Sequence, residues 1–118
     1  MGFPKVFERP VGAPPDAAYS IVMAWLGEIR AKVTENTPPR HVKAQWGKAM
    51  RLADQTNARK IMIIDIAPIQ GGSLVRVTMP IYWGYKDDAL FNEVGIHDAW
   101  LGFLRPLWVH LGYPPGSV

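Results

Sequence analysis

Few side chains in this 118-residue chain have types and spacings that could do chemistry. Glu93 and His97 stand one helical turn apart with Asp98 beside them, an arrangement that can serve general acid–base catalysis on a helix face. A surface salt bridge or a helix-face hydrogen bond accounts for the same spacing. Asp65 lies between Ile64 and Ile66 in an apolar run, and a buried acid must be paired or have a raised pKa. Arg76, on the next apolar run, is its plausible cross-strand neighbour. A sheet ion pair therefore competes with a catalytic or ligand-orienting role for Asp65. Ser73 follows Gly71-Gly72, but it leads from a strand into a turn and not into a helix, so it forms no nucleophile elbow. The same glycines lack the helix and the Lys-Ser/Thr pair of a phosphate loop. His41, His97 and His110 show no metal-ligand spacing, and with no cysteine in the chain neither a metal nor a cofactor is expected. His110 falls at the end of an apolar helix, where the dipole favours a partly charged imidazole.

The net charge of +3 hides an asymmetry. Arg30 to Lys60 carries eight basic side chains against Glu35 and Asp54, whereas Lys86 onward carries two against four acidic ones. A basic segment can attract nucleic acid, anionic lipid or an acidic ligand, and Arg40, Lys43, Lys48 and Arg51 are its candidate nucleic-acid contacts. A solvated sheet face with basic loops explains the same residues. Five tryptophans (Trp25, Trp46, Trp83, Trp100 and Trp108) either fill a core or line an apolar pocket, with Tyr82, Asp65 and Arg105 as polar groups that could orient a guest. Trp83-Gly84-Tyr85 also fits an exposed aromatic contact. The N-terminus lacks the pattern of a secretory signal, and Arg105, Pro106 and His110 interrupt the longest apolar stretch. No membrane span and a cytoplasmic location are expected.

These residues are positioned by elements that the periodicity outlines. Residues 3–8 read as an edge strand, since Pro4 is tolerated there. Pro14-Pro15-Asp16 opens a helix over 15–31, with Ala18, Ile21, Val22, Trp25, Leu26 and Ile29 on one face. Residues 31–37 read as extended. Residues 40–47 alternate as a strand (Val42, Ala44, Trp46), although Val42, Trp46, Ala49, Met50 and Ala53 also fit a helix; Gly47 favours the strand. The stretch from Lys60 to Tyr82 reads as a hairpin turning at Gln70–Ser73. Met62, Ile64 and Ile66 share one face of its first strand, which is apolar on both faces and hence either central and covered on both sides or in a subunit contact on one side. Asp87 to Leu111 reads as one long apolar helix, weakened at Gly95 and Gly102 and bent at Pro106.

The expected fold is thus a single α+β domain over 1–118. An antiparallel sheet of four to five strands carries an N-terminal helix and a long C-terminal helix, in the order β-α-β-β-β-β-α. That order resembles the TATA-binding-protein-like fold and its relatives, the helix-grip (START-like) ligand-binding proteins. The resemblance covers almost the whole chain and rests on element order, with no motif to carry a functional residue across. It implies a long C-terminal helix gripped by a curved sheet, often with an apolar ligand between them. The leading expectation is therefore a binding module for an apolar or amphipathic small molecule. Trp46, Ile64, Asp65, Val77, Trp100, Leu104 and Trp108 are its candidate contacts, and surplus apolar surface would support a homodimer. Nucleic-acid binding through 30–60, and a small enzyme using Asp65 or Glu93/His97, are the alternatives.

Overall fold

The computed structural model describes residues 5–47, 60–79 and 96–117, with side chains from Trp100 onward in the last segment. Alternation of apolar and polar residues sets the sheet. Phe7 and Val11 are buried on strand β1 (Lys5–Val11), Val42 and Ala44 on β3 (His41–Trp46), Met62, Ile64 and Ile66 on β4 (Lys60–Ile69), and Val75, Val77 and Met79 on β5 (Gly72–Met79). Strand β2 (Lys32–Thr37) is mostly exposed. The order across the sheet is β1-β5-β4-β3-β2, with every neighbouring pair antiparallel. The apolar β4 is central, as its composition implies. Residues 40–47 resolve in favour of the strand.

Helix α1 (Pro15–Glu28) begins where Pro15 occupies a first-turn position and Asp16 meets the positive helix end. Ala18, Val22, Trp25 and Leu26 form its buried stripe. Helix α2 (Ile96–His110) buries Trp100, Leu104, Leu107 and Trp108, and Leu111 follows them into the same core. Spacings of four, three, one and three keep these residues on one face. The helix runs through Pro106, which sits on its exposed flank, where the carbonyl that proline leaves unbonded can be hydrated. The part of the expected helix before Ile96 lies outside the described residues. Both helices pack with the same sheet face in one apolar cluster, with Trp25 of α1 edge-on to Phe103 of α2 at 5.7 Å.

The two glycines of the hairpin turn are needed for different reasons. Gly71 supplies the positive φ of the turn, at 84°. Gly72 is required by crowding: a Cβ there would lie 1.9 Å from the Val11 carbonyl oxygen, because β1 passes close against the start of β5. Ser73 is buried and its hydroxyl donates to the Ala13 carbonyl at 2.7 Å, a structural role. No helix among the described residues is long and apolar enough to cross a membrane.

Candidate functional site

The seam between the sheet and α2 ends in two different ways, and the Trp46 end holds the more unusual residues. Trp46 and Lys60 are direct cross-strand partners at one end of β3 and β4. Counting back by twos from Met62 puts Lys60 on the buried face, and only 1% of it is exposed. Its ammonium stands 4.8 Å from the ring centres of both Trp46 and Phe103, within cation–π range. Phe103 lies between two tryptophans, 5.0 Å from Trp46 and 5.7 Å from Trp25. The Trp46 indole N–H donates to the Ile29 carbonyl at 2.8 Å, tying the end of β3 to the end of α1. Trp25 is 1% exposed, and its indole N–H has no hydrogen-bond partner among the described residues.

Helix α1 terminates beside this cluster in a Schellman arrangement. The Ala31 amide donates to the Leu26 carbonyl at 2.9 Å and the Arg30 amide to the Gly27 carbonyl at 3.1 Å. The left-handed position, usually glycine, is occupied by Arg30 with φ 60°. A side chain there costs about 1–2 kcal/mol of backbone preference. Between this turn and the end of β3 opens a groove of about 400 Å3, lined by Ile29, Arg30, Lys32, Gln45, Trp46 and Gly47. Among the described residues its lining combines an aromatic wall with two cations and no carboxylate. Such a surface can hold a flat apolar or amphipathic molecule.

At the opposite end, Pro10 to Ala13 and Leu111 to Tyr113 line a groove of about 310 Å3. Arg9 stacks over Trp108 at 5.7 Å and over Tyr113 at 4.9 Å. The Tyr113 hydroxyl donates to the Pro10 carbonyl, closing the chain after α2 onto β1.

The face of the sheet away from the helices carries a transverse row of charge. Glu8, Arg76, Asp65 and His41 are successive partners across β1, β5, β4 and β3. Asp65 is therefore not buried: it lies on the open face, 48% exposed. Arg76 is opposite it in register, as expected, but pairs with Glu8 at 2.6 Å. The partner of Asp65 is His41, whose Nδ1–H donates to its carboxylate at 2.8 Å; Glu35 lies 3.4 Å from Nε2. The hydrogen bond to Asp65 is the main cause that raises the His41 pKa above its usual value; burial opposes it, and the charge of Asp65 and then Glu35 add in the upward direction.

The expected ligand contacts thus separate into three groups. Ile64, Val77, Trp100, Leu104 and Trp108 belong to the buried cluster beneath the helices, Trp46 borders a groove, and Asp65 faces the other way. Arg105 is exposed on α2. Among the candidate nucleic-acid residues, Arg40 lies exposed in the turn between β2 and β3, and Lys43 lies mid-strand opposite Glu35. Lys48, Arg51, Tyr82, Trp83, Tyr85, Glu93 and the His97 side chain lie outside the described residues. Among the described residues no cluster of histidine and carboxylate groups is arranged to hold a metal ion. The sequence reading missed Lys60, for which parity with Met62 was the available signal, whereas Arg30 and the His41–Asp65 pair required the helix end and the strand register.

This architecture is that of the helix-grip (START-like) fold, an α+β class in which a C-terminal helix lies on an antiparallel sheet. Neither a family model nor a curated protein sequence matches the chain. Solved structures do. A protein from Mesorhizobium loti is similar with a TM-score of 0.64 at 16% identity, covering 92% of this chain and 96% of its own. The Aha1 dimer from Colwellia psychrerythraea is similar with a TM-score of 0.60 at 16% identity, over 92% and 96%. An AHSA1-like protein from Rhizobium etli is similar with a TM-score of 0.58 at 18% identity, over 98% and 86%. At these identities the likeness defines the fold.

Proposed function

We propose that this chain is a binding module that takes up a small apolar or amphipathic molecule along the seam between the sheet and α2, entering at the Trp46 end. The observation that carries this reading is the Trp25–Phe103–Trp46 aromatic run opening onto a groove of about 400 Å3. Ligand sites are typically concave, largely apolar, and supplied with a few convergent polar groups. The buried Ile64, Val77, Leu104 and Trp108 form the apolar floor toward which a guest extends. Native mass spectrometry of freshly purified protein tests this. Retention of a small-molecule mass that is lost on Trp46→Ala supports the reading; an unliganded chain that also refuses a panel of apolar probes contradicts it.

The same proposal includes a homodimer, for which the similar Aha1 protein, solved as a dimer, is one support. The other is the alternating row Glu8, Arg76, Asp65, His41. An even-numbered alternating row is self-complementary about a two-fold axis running along the strands. Such an axis sets Arg76 against the partner's Asp65 and Glu8 against the partner's His41, with the half-buried Ile63 and Thr78 and the 53%-exposed Val6 alongside. Sedimentation equilibrium is expected to show a dimer that dissociates in Arg76→Glu with the fold retained. A wild-type monomer at high concentration contradicts this part alone.

A further inference from the structure

We propose that the groove at the Trp46 end recognises the charged head of its guest, so that the ligand class is an organic anion with a flat apolar body. This rests on the seam-binding reading above and adds the sign of the charge. Three independent features point to it. The first is the lining: Arg30 and Lys32 stand at the mouth, with no acid among the described lining residues. Both are exposed, so their attraction for an anion is sensitive to salt.

The second is Trp25. Its N–H is a donor with no acceptor capacity, and it is buried without a partner among the described residues, one ring beyond Trp46 across Phe103. A buried donor left unmade carries a desolvation penalty, which a guest bearing an acceptor would relieve. Arg30, Lys32 and Trp25 offer donors, so the complementary group accepts, as a carboxylate, sulfonate or phosphate oxygen does.

The third is the backbone. Arg30 occupies a left-handed helix-end position that glycine fills without strain. Non-glycine residues held in such conformations cluster where their side chains serve a function. Just past the end of α1 this conformation places Arg30 on the lip of the groove. Trp46 supplies the flat wall and Arg30 the charge. An anion with an aromatic or alicyclic body satisfies both together; a neutral lipid tail uses only the first.

The test compares two probes with one ring system, 1-anilinonaphthalene-8-sulfonate and its neutral parent N-phenyl-1-naphthylamine, by fluorescence titration. The sulfonate is expected to bind at least tenfold more tightly, with that margin shrinking as salt rises. In Arg30→Gly the sulfonate is expected to lose most of its advantage while the neutral probe binds as before. The thermal midpoint of that variant should rise or hold, because the strained position is relieved. A structural role for Arg30 predicts the reverse pattern, a falling midpoint with both probes weakened together. Equal binding of the two probes to the wild type, or an unchanged sulfonate affinity in Arg30→Gly, overturns the anion inference and leaves seam binding standing. Failure of both probes to bind overturns the two together.

Discussion

The two ends of the seam use the same parts to different effect. Each sets one cation over two aromatic rings: Arg9 over Trp108 and Tyr113, Lys60 over Trp46 and Phe103. At the Arg9 end the chain is latched shut, with Tyr113 bonded to the Pro10 carbonyl and Ser73 bonded to the Ala13 carbonyl. At the Trp46 end the cation is buried, an indole N–H is left over, and a strained arginine stands at the lip. Polar satisfaction and unstrained backbone mark the end that holds the fold together. One unmet indole donor and a strained backbone position mark the end with something left to bind.

The largest expected effects lie at the closed end. Trp108→Ala removes a buried anchor of α2 and is expected to cost about 3–5 kcal/mol in urea denaturation. Gly72→Ala drives a methyl group into the Val11 carbonyl, and the shift it forces between β1 and β5 is expected to cost about 1–3 kcal/mol. Trp46→Ala should destabilise less than Trp108→Ala, since Trp46 is only half-buried, yet weaken probe binding tenfold or more. A Trp46→Ala variant that binds normally while Trp108→Ala folds but cannot bind would reverse the assignment of the two ends. Tyr113→Phe removes one hydroxyl and should cost about 0.5–1.5 kcal/mol with probe binding intact.

The smallest expected effect belongs to neither end. Protonated His41 bridges Asp65 and Glu35 on the open face, and its pKa is raised by them. Its stabilisation is therefore fully present below the unfolded value near 6.5 and disappears as pH rises through the higher folded value. An NMR titration should place the His41 midpoint above 6.5 and show it falling in Asp65→Asn. A midpoint unmoved by that substitution removes Asp65 as the cause.

Much of this fold was legible because its elements keep strict periods. The alternation at Val42, Ala44 and Trp46, and at Met62, Ile64 and Ile66, fixes both the strands and their buried face. The stripe from Ala18 to Leu26 does the same for α1. The site was less legible for reasons that lie in the physics. Asp65 reads as buried when its apolar neighbours are weighed, but its parity opposite Ile64 and Ile66 puts it on the open face. Its histidine partner depends on the β3–β4 register, which residue types alone do not set. Arg30 gives no sequence signal at all, since a left-handed helix end is normally announced by glycine. Lys60 is masked by its charge, although its step from Met62 and its aromatic neighbours make it a core residue.

One measurement bears most directly on the claim that the Trp46 end is the open one: N-phenyl-1-naphthylamine titrated into 15N-labelled protein, followed by amide and indole chemical shifts. The largest changes are expected at the Trp46 indole N–H and at the amides of Ile29, Gln45 and Gly47, with Gly12, Ala13, Gly112 and Tyr113 unmoved. Changes centred on the second group, or on the open face around His41 and Thr78, would contradict it.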